Sequence, residues 1–326
     1  MSDGRSSGSG AVLVTGASGF VGRHVVAQLA GAMPVKAGIH RTALPDDLAA
    51  MPSVAAVPCR LGNPDELAAA LTGSDHVVHA GYGGDPAAMV ADARRLCAAA
   101  IEAGVRTIVT LSSIDVYGSR DGPVRESDTP VPPIGSYGAA KRDVEDILRG
   151  FAEDDRRAVA LRVGCVLGKG RALWVDGMCE RMRAGVLGHM GEAGSGNAPL
   201  VDAADVAAAV AKAIEVAPDG FSAFNIEGGY SVTWNAYFAM LASAAAIPLP
   251  TFDAGAAKRH AILSVPAKAW RKARLPGFGR MAMAPRGGEL SLFSRKATYA
   301  IDEASKVLGW TPSVSLKDAL AKAVHA

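Results

Sequence analysis

At 326 residues, with 49% hydrophobic and 20% charged side chains, the chain can bury a large core, which excludes a disordered or fibrous class. A formal net charge of +2 supplies no global field for nucleic acid or an acidic partner. The four cysteines (Cys59, Cys97, Cys165 and Cys179) are widely spaced with no C-x-x-C pair, so no metal or dithiol site is expected and the thiols read as reduced in a cytoplasmic protein.

In chain order, residues 1–10 are Ser/Gly-rich and too polar for a signal peptide, and a mobile tail is expected there. Ala11–Thr15 is a β-rich run that feeds a glycine turn, and a helix is expected over Arg23–Ala30. Strands are predicted at Val35–His40, Val54–Pro58 and His76–Ala80. The helix Pro86–Ala103 leads to a strand at Thr107–Ser112, and the helix Tyr137–Phe151 to one at Ala158–Val163. Strands that alternate with helices and are apolar on both faces predict an α/β fold, a Rossmann-type doubly wound parallel sheet. After Gly168 the pattern loosens into glycine-rich turns (185–196), a helix at Ala203–Val216, a strand at Phe221–Ile226 and a helix at Thr233–Ala246. The expected organisation is a dinucleotide-binding domain at 11–168 and a smaller, mainly substrate-binding domain at 169–326, from which residues near 197–228 return to the first. No run reaches the roughly 18 uncharged apolar residues of a membrane span. The alanine-rich stretch at 203–217 is broken by Asp205, Lys212 and Glu215 and reads as an amphipathic helix.

In the turn Thr15-Gly16-Ala17-Ser18-Gly19-Phe20-Val21-Gly22, Gly16 allows a tight bend, Gly19 lets backbone approach a pyrophosphate, and Gly22 permits close helix–strand packing. The free N–H groups of the following helix favour a diphosphate. The alternative is a βα turn with no ligand, but its place after the first strand of a βαβ series favours a dinucleotide. An acid about 20 positions further on ordinarily receives the ribose hydroxyls of NAD. The second strand ends instead in Ile39-His40-Arg41, and Arg41 offers its fork of donors to a 2′-phosphate. NADP is therefore expected, with NAD as the alternative and a plain surface arginine as the other reading of Arg41.

Tyr137 and Lys141 lie one helical turn apart, so they share a face. An ammonium there is expected to lower the phenol pKa and fit it to exchange a proton with an alcohol or carbonyl oxygen. Ser113, delivered by the strand end Leu111-Ser112-Ser113, can donate to the same oxygen.

These motifs together resemble an extended short-chain dehydrogenase/reductase of the NAD-dependent epimerase/dehydratase group. The resemblance rests on the glycine turn, Asp75–Ala80, Ser112-Ser113 before Val116-Tyr117-Gly118, and Tyr137 with Lys141. It continues through Leu161-Arg162-Val163-Gly164, Leu200–Val206 and the ending Leu308-Gly309-Trp310-Thr311-Pro312. It implies a Rossmann fold, bound NAD(P), Tyr137 as acid/base, Lys141 as its partner, Ser113 as oxyanion donor, and a homodimer. The implied cofactor site comprises Gly16, Ser18, Gly19, Phe20, Val21, Gly22, His40, Arg41, Arg60, Leu61, Ala80, Gly81, Tyr82, Ser112, Tyr137, Lys141 and Val163.

Departures from the family pattern bear on the ligands. Arg60 stands where the family often has an adenine-contacting Asp, which adds a second cation near the expected 2′-phosphate. Ile114-Asp115 replaces the Asp-Glu pair of sugar-nucleotide dehydratases, which disfavours 4,6-dehydration and leaves Asp115 as a substrate contact or a plain loop acid. Cys165 stands where sugar epimerases often place Asn, and it is a substrate-site candidate with Ser113 and Asp115. Ten Lys/Arg against one acid give residues 257–296 a charge of +9, leaving −7 for the rest. That tract is compatible with a solvated face, a surface for anionic lipid, or a pocket for a phosphorylated or CoA-like substrate. Trp174, His189 and His260 read as packing or surface residues. The expected function is an NAD(P)(H)-dependent oxidoreductase that interconverts a secondary alcohol and a ketone. The alternatives are a nucleotide-sugar epimerase working through a transient ketone, and a non-catalytic dinucleotide sensor.

Overall fold

In a computed structural model of the chain, the described residues are 10–82, 85–133, 135–170, 173–253, 255, 259–260, 262–267 and 280–324. The expected tail lies outside them except for Gly10, as do Lys258, Lys268, Trp270, Arg271, Lys272, Arg274, Leu275 and Phe278 of the basic tract.

Seven parallel strands form the central sheet: β1 (Ala11–Thr15), β2 (Val35–Ile39), β3 (Val54–Pro58), β4 (Ser74–His79), β5 (Thr107–Ser113), β7 (Arg157–Val163) and β10 (Gly220–Ile226). Their order across the sheet is β10-β7-β5-β4-β1-β2-β3. Val12–Val14, Val77–Val78, Ile108–Val109 and Ala158–Leu161 are wholly buried, as strands covered on both faces must be. Two helical layers do the covering. On one face, α1 (Phe20–Ala30) and α7 (Ala203–Val216) bury Val25, Val26, Leu29, Val206 and Val210, joined by Leu308 and Trp310. On the other, α3 (Pro64–Leu71), α4 (Pro86–Glu102) and α5 (Ser136–Phe151) bury Leu67, Leu71, Met89, Leu96, Val144, Leu148 and Phe151.

Nothing in the hydrophobic period announces α3, which is only eight residues long. Its start is nevertheless written in Asn63-Pro64-Asp65-Glu66: the Asn63 side chain accepts from the Asp65 and Glu66 amides, and Pro64 fills the first turn.

The segment 197–228 supplies α7 to the first core and β10 to the sheet, where Gly220–Ile226 pairs in register with Arg157–Val163. A second core gathers α6 (Asp176–Arg183), α8 (Trp234–Ala244), the helix Gly287–Ser294 and the helix Leu316–Val324. At its centre Trp234 packs against Phe293, Trp174, Phe238 and Tyr237, at centroid distances of 4.7, 5.2, 5.7 and 5.9 Å. Two short strand pairs tie the layers together: β6 (Gly122–Val124) with β11 (Ala297–Tyr299), and β8 (Cys165–Leu167) with β9 (Leu200–Asp202).

Candidate active site

The sheet order reverses between β1 and β4, and a crevice opens at the carboxyl ends of the strands, where such sheets bind ligands. It is a cavity of about 1240 Å³ running from the β3 side to the β7 side. Every cofactor-site and substrate-site residue nominated by the sequence lines it. A single drug-sized ligand occupies roughly 300–1,000 Å³, so there is room for a dinucleotide and a second molecule.

The glycine turn shapes one wall. Gly16 is left-handed (φ +72°), and a Cβ there would stand 2.7 Å from the Gly81 backbone. A Cβ on Gly22 would strike the Gly16 carbonyl oxygen, so helix α1 can sit this close to the turn only without one. Gly19 caps α1 with no side chain, which leaves the first helical N–H groups free for an anion. The cradle thus fits the dinucleotide that the glycine spacing implies.

At the β2 and β3 ends, His40, Arg41, Arg60 and Leu61 line the cavity. Arg60, the second cation expected there, is paired with an acid. Its guanidinium grips Glu66, with Nε 2.8 and 2.9 Å from the carboxylate oxygens, and Glu66 also accepts from the Arg60 amide. Arg41 is exposed and has no carboxylate partner among the described residues.

At the β5 end stands the proton-handling group. Tyr137 opens α5 and is 36% exposed. Ser113 lines the cavity with Tyr137 and its hydroxyl accepts from the Asp115 amide at 3.1 Å. Lys141 is buried, with Nζ donating to the Leu111 carbonyl at 2.7 Å and lying 5.7 Å from the centre of the Tyr137 ring. Burial pulls Lys141 down to about 8, against the opposing pull of Glu145. The phenol moves opposite to the sequence expectation. Burial, then the Asp115 carboxylate, pushes Tyr137 up to about 12, and the Ser113 hydroxyl only partly offsets this. Beneath lies His79, hydrogen-bonded to Thr15 Oγ1 at 2.7 Å and held neutral, with its pKa down to about 4 through burial and the nearby Lys141.

Ser112 lines the cavity, but its hydroxyl donates away from it, to Glu145 at 2.6 Å. Glu145 receives Arg162 at 2.8 and 3.1 Å; Arg162 donates to the Tyr117 hydroxyl at 2.8 Å, and that hydroxyl donates to Asn225 at 2.6 Å. This buried network binds β5, α5, β7 and β10 behind the site. Its sequence signals are Glu145, one turn beyond Lys141, and Arg162 in the Leu161–Gly164 motif.

Asp115 reaches the cavity with its side chain 43% exposed, and Arg295 lies behind it at 3.7 Å. Burial raises the Asp115 pKa and Arg295 opposes that shift. Nothing local in the sequence marks Arg295, which arrives from 180 residues away. Cys165 is a buried thiol at the cavity wall, its pKa raised by burial. Trp174 also lines the cavity, its backbone oxygen accepting from the Tyr237 hydroxyl. His189 is exposed, and the His260 ring packs on Phe252 at 5.2 Å. Among the described residues no group of His, Cys, Asp and Glu could hold a metal ion.

A profile of the NAD dependent epimerase/dehydratase family matches residues 12–226. Comparison with curated protein sequences gives no match. Among solved structures the chain is similar to MoeE5 in complex with UDP-glucuronic acid and NAD, at 26% identity and a TM-score of 0.75 over 97% of this chain and 98% of that one. It is also similar to the UDP-glucose 4-epimerase of Thermotoga maritima with UDP-glucose, at 24% identity and a TM-score of 0.73 over 97% of each chain. The UDP-glucuronic acid 4-epimerase of Bacillus cereus in complex with NAD gives 20% identity and a TM-score of 0.71 over 97% of each chain. At these last two identities the likeness is one of fold.

Proposed function

The chain belongs to the NAD dependent epimerase/dehydratase family, an enzyme of the extended short-chain dehydrogenase/reductase type that uses a nicotinamide dinucleotide, and from that premise we propose that it interconverts a secondary alcohol and a ketone at Ser113, Tyr137 and Lys141. The observation that carries this reading is the gathering of Ser113, Tyr137 and buried Lys141 in the same cavity as the glycine cradle, with Lys141 Nζ 5.7 Å from the centre of the Tyr137 ring.

The bound nicotinamide would supply or accept the hydride. Gly16, Gly19 and Gly22 would hold the pyrophosphate against α1, with His40, Arg41 and Leu61 at the adenosine end. In the reducing direction the carbonyl carbon gains the hydride and the carbonyl oxygen takes the Tyr137 proton. Ser113 donates to that oxygen as its charge develops. A phenol held near 12 is a proton donor at neutral pH, and the Lys141 charge favours the phenolate it leaves behind. Solvent then returns the proton. The test is a screen of the pure protein for loss of NADPH absorbance against ketones and nucleotide sugars. Stoichiometric oxidation of NADPH by a ketone supports the reading; cofactor binding without turnover of any carbonyl compound contradicts it.

A second reading, nucleotide-sugar epimerisation, is favoured by the likeness to MoeE5, which was solved with UDP-glucose as well as UDP-glucuronic acid. It predicts turnover of a UDP-sugar with no net change in cofactor. For the cofactor we favour NADP, because β2 ends without an acid and Arg41 there has no carboxylate partner among the described residues; the NAD in the MoeE5 complex favours NAD instead. With Arg60 tied to Glu66, the preference rests on Arg41 alone. Arg41→Ala should therefore weaken NADPH by about one to two powers of ten, from the roughly 1.5–3 kcal/mol of a charge-assisted contact, and leave NADH unchanged. Equal titration losses for both cofactors would refute this. No described helix is long and apolar enough to cross a membrane. A homodimer is proposed from the family resemblance and sedimentation checks it; the cytoplasmic location rests on the unpaired cysteines, and the substrate domain over 169–326 on the sequence pattern after Gly168.

A further inference from the structure

The cavity changes character along its length. Among the described residues its cationic lining is Arg41 and Arg60 at the β2 and β3 ends and Lys141 near Tyr137. Beyond Tyr137, toward β7 and the helix Gly287–Ser294, the lining is Cys165, Val166, Leu173, Trp174 and Leu292. The charged group on that side among the described residues is Asp115, an acid. The Arg295 that partly offsets it is itself only 5% exposed and sits behind it.

Two large apolar surfaces in this cavity stand open: Leu173 is 65% exposed and Tyr82 62%. The Tyr82 ring meets Tyr137 edge-on at 6.1 Å. Leu173 lies in sequence between two anchored points of the described chain. Arg23 donates to the Lys169 and Gly170 carbonyls at 2.7 and 2.6 Å and pins the approach to α1. On the other side, Trp174 is fixed by its contact with Trp234 and by the Tyr237 hydroxyl. An apolar side chain left uncovered in the same cavity as a proton donor is what a concave site shows before its apolar ligand arrives. An acid in the same wall repels a phosphate or carboxylate there.

We propose that the substrate carries an apolar group, aryl or branched alkyl, on the carbon bearing the reacting oxygen, and that this group packs on Leu173 and Trp174; a nucleotide diphosphate does not occupy this end. This assignment rests on the alcohol–ketone reading above and names the substrate class for that reaction.

The test uses the full chain with NADP and titration calorimetry, with acetophenone, acetone and UDP-glucose as probes. The aryl ketone should bind at least tenfold tighter than acetone, and UDP-glucose should give no saturable heat. Leu173→Asn, at an exposed position that does not threaten folding, should weaken the aryl ketone by about tenfold or more, the low end of what a lost methylene contact does in an apolar pocket. Acetone and NADP affinities should not move, and Leu173→Met should restore aryl ketone binding. UDP-glucose binding tighter than the ketone, or a Leu173→Asn variant with unchanged ketone affinity, would overturn the proposal. The two readings fail differently. Ketone binding without any NADPH oxidation would sink the reaction and leave the apolar site standing. Turnover of UDP-sugars in preference to ketones would keep the Tyr137 chemistry and sink the apolar site.

Discussion

Replacing Glu145 by Leu tests whether the buried network behind the site is held by charge pairing. Glu145 and Arg162 have side chains only 5% exposed and meet through contacts of 2.8 and 3.1 Å. Removing the carboxylate leaves a buried guanidinium whose remaining partners are the Tyr117 hydroxyl and the Glu126 carbonyl. Breaking one side of such a pair costs about 3–5 kcal/mol, whereas replacing both partners by apolar groups is often nearly neutral. A chain of 326 residues has an unfolding entropy of about 0.7 kcal/mol/K from roughly 2.1 cal/mol/K per residue. The single variant should therefore melt about 4–7 °C lower. Glu145→Leu with Arg162→Met should recover most of that loss. Thermal melts of the wild type, both single variants and the double variant complete the cycle. A single-variant loss below about 1 kcal/mol, or a double-variant loss equal to the sum of the singles, would refute the reasoning. Turnover should also fall in Glu145→Leu, because Ser112 loses its acceptor and the strand end that presents Ser113 loosens.

Gly19→Val should abolish cofactor binding, measured by titration, while a cooperative melt persists, because the side chain intrudes where backbone must approach the pyrophosphate. Unchanged affinity in the folded variant would remove the turn from the cofactor site. Lys141→Met should raise stability at pH 7 while lowering turnover. The folded pKa of Lys141, about 8, lies below its ordinary value, so the unfolded chain binds more protons between about 8 and 10.5 and wild-type stability rises with pH across that window. The advantage of the Met variant should accordingly be full below pH 8 and fade by pH 10.5, which denaturation at several pH values would show; an advantage independent of pH would contradict the burial argument.

The parallel sheet and the glycine turn were legible because both are written locally, in apolar runs such as Val12–Val14 and in fixed glycine spacing. Tyr137 and Lys141 were legible for the same reason, one turn apart on one helix. Helix α3 escaped because eight residues give too little hydrophobic period, although its cap at Asn63 is explicit. The pairing of Arg60 with Glu66 is local as well, but only the fold shows the two charges brought together at the cavity. Arg295 behind Asp115 had no local signal, since the fold alone joins residues 180 positions apart. The direction of the Tyr137 shift could not be read from spacing either. It depends on how much water the cavity wall withholds and on the Asp115 carboxylate, neither of which the spacing reveals.

The most direct test of the account is Tyr137→Phe, assayed by NADPH oxidation on a ketone substrate alongside cofactor titration. The variant keeps the ring against Tyr82 and removes the ionisable hydroxyl. Turnover should fall by about 10²- to 10⁴-fold, the range of general acid–base catalysis, with cofactor affinity unchanged. Near wild-type turnover in this variant would contradict the assignment of Tyr137 as the proton donor.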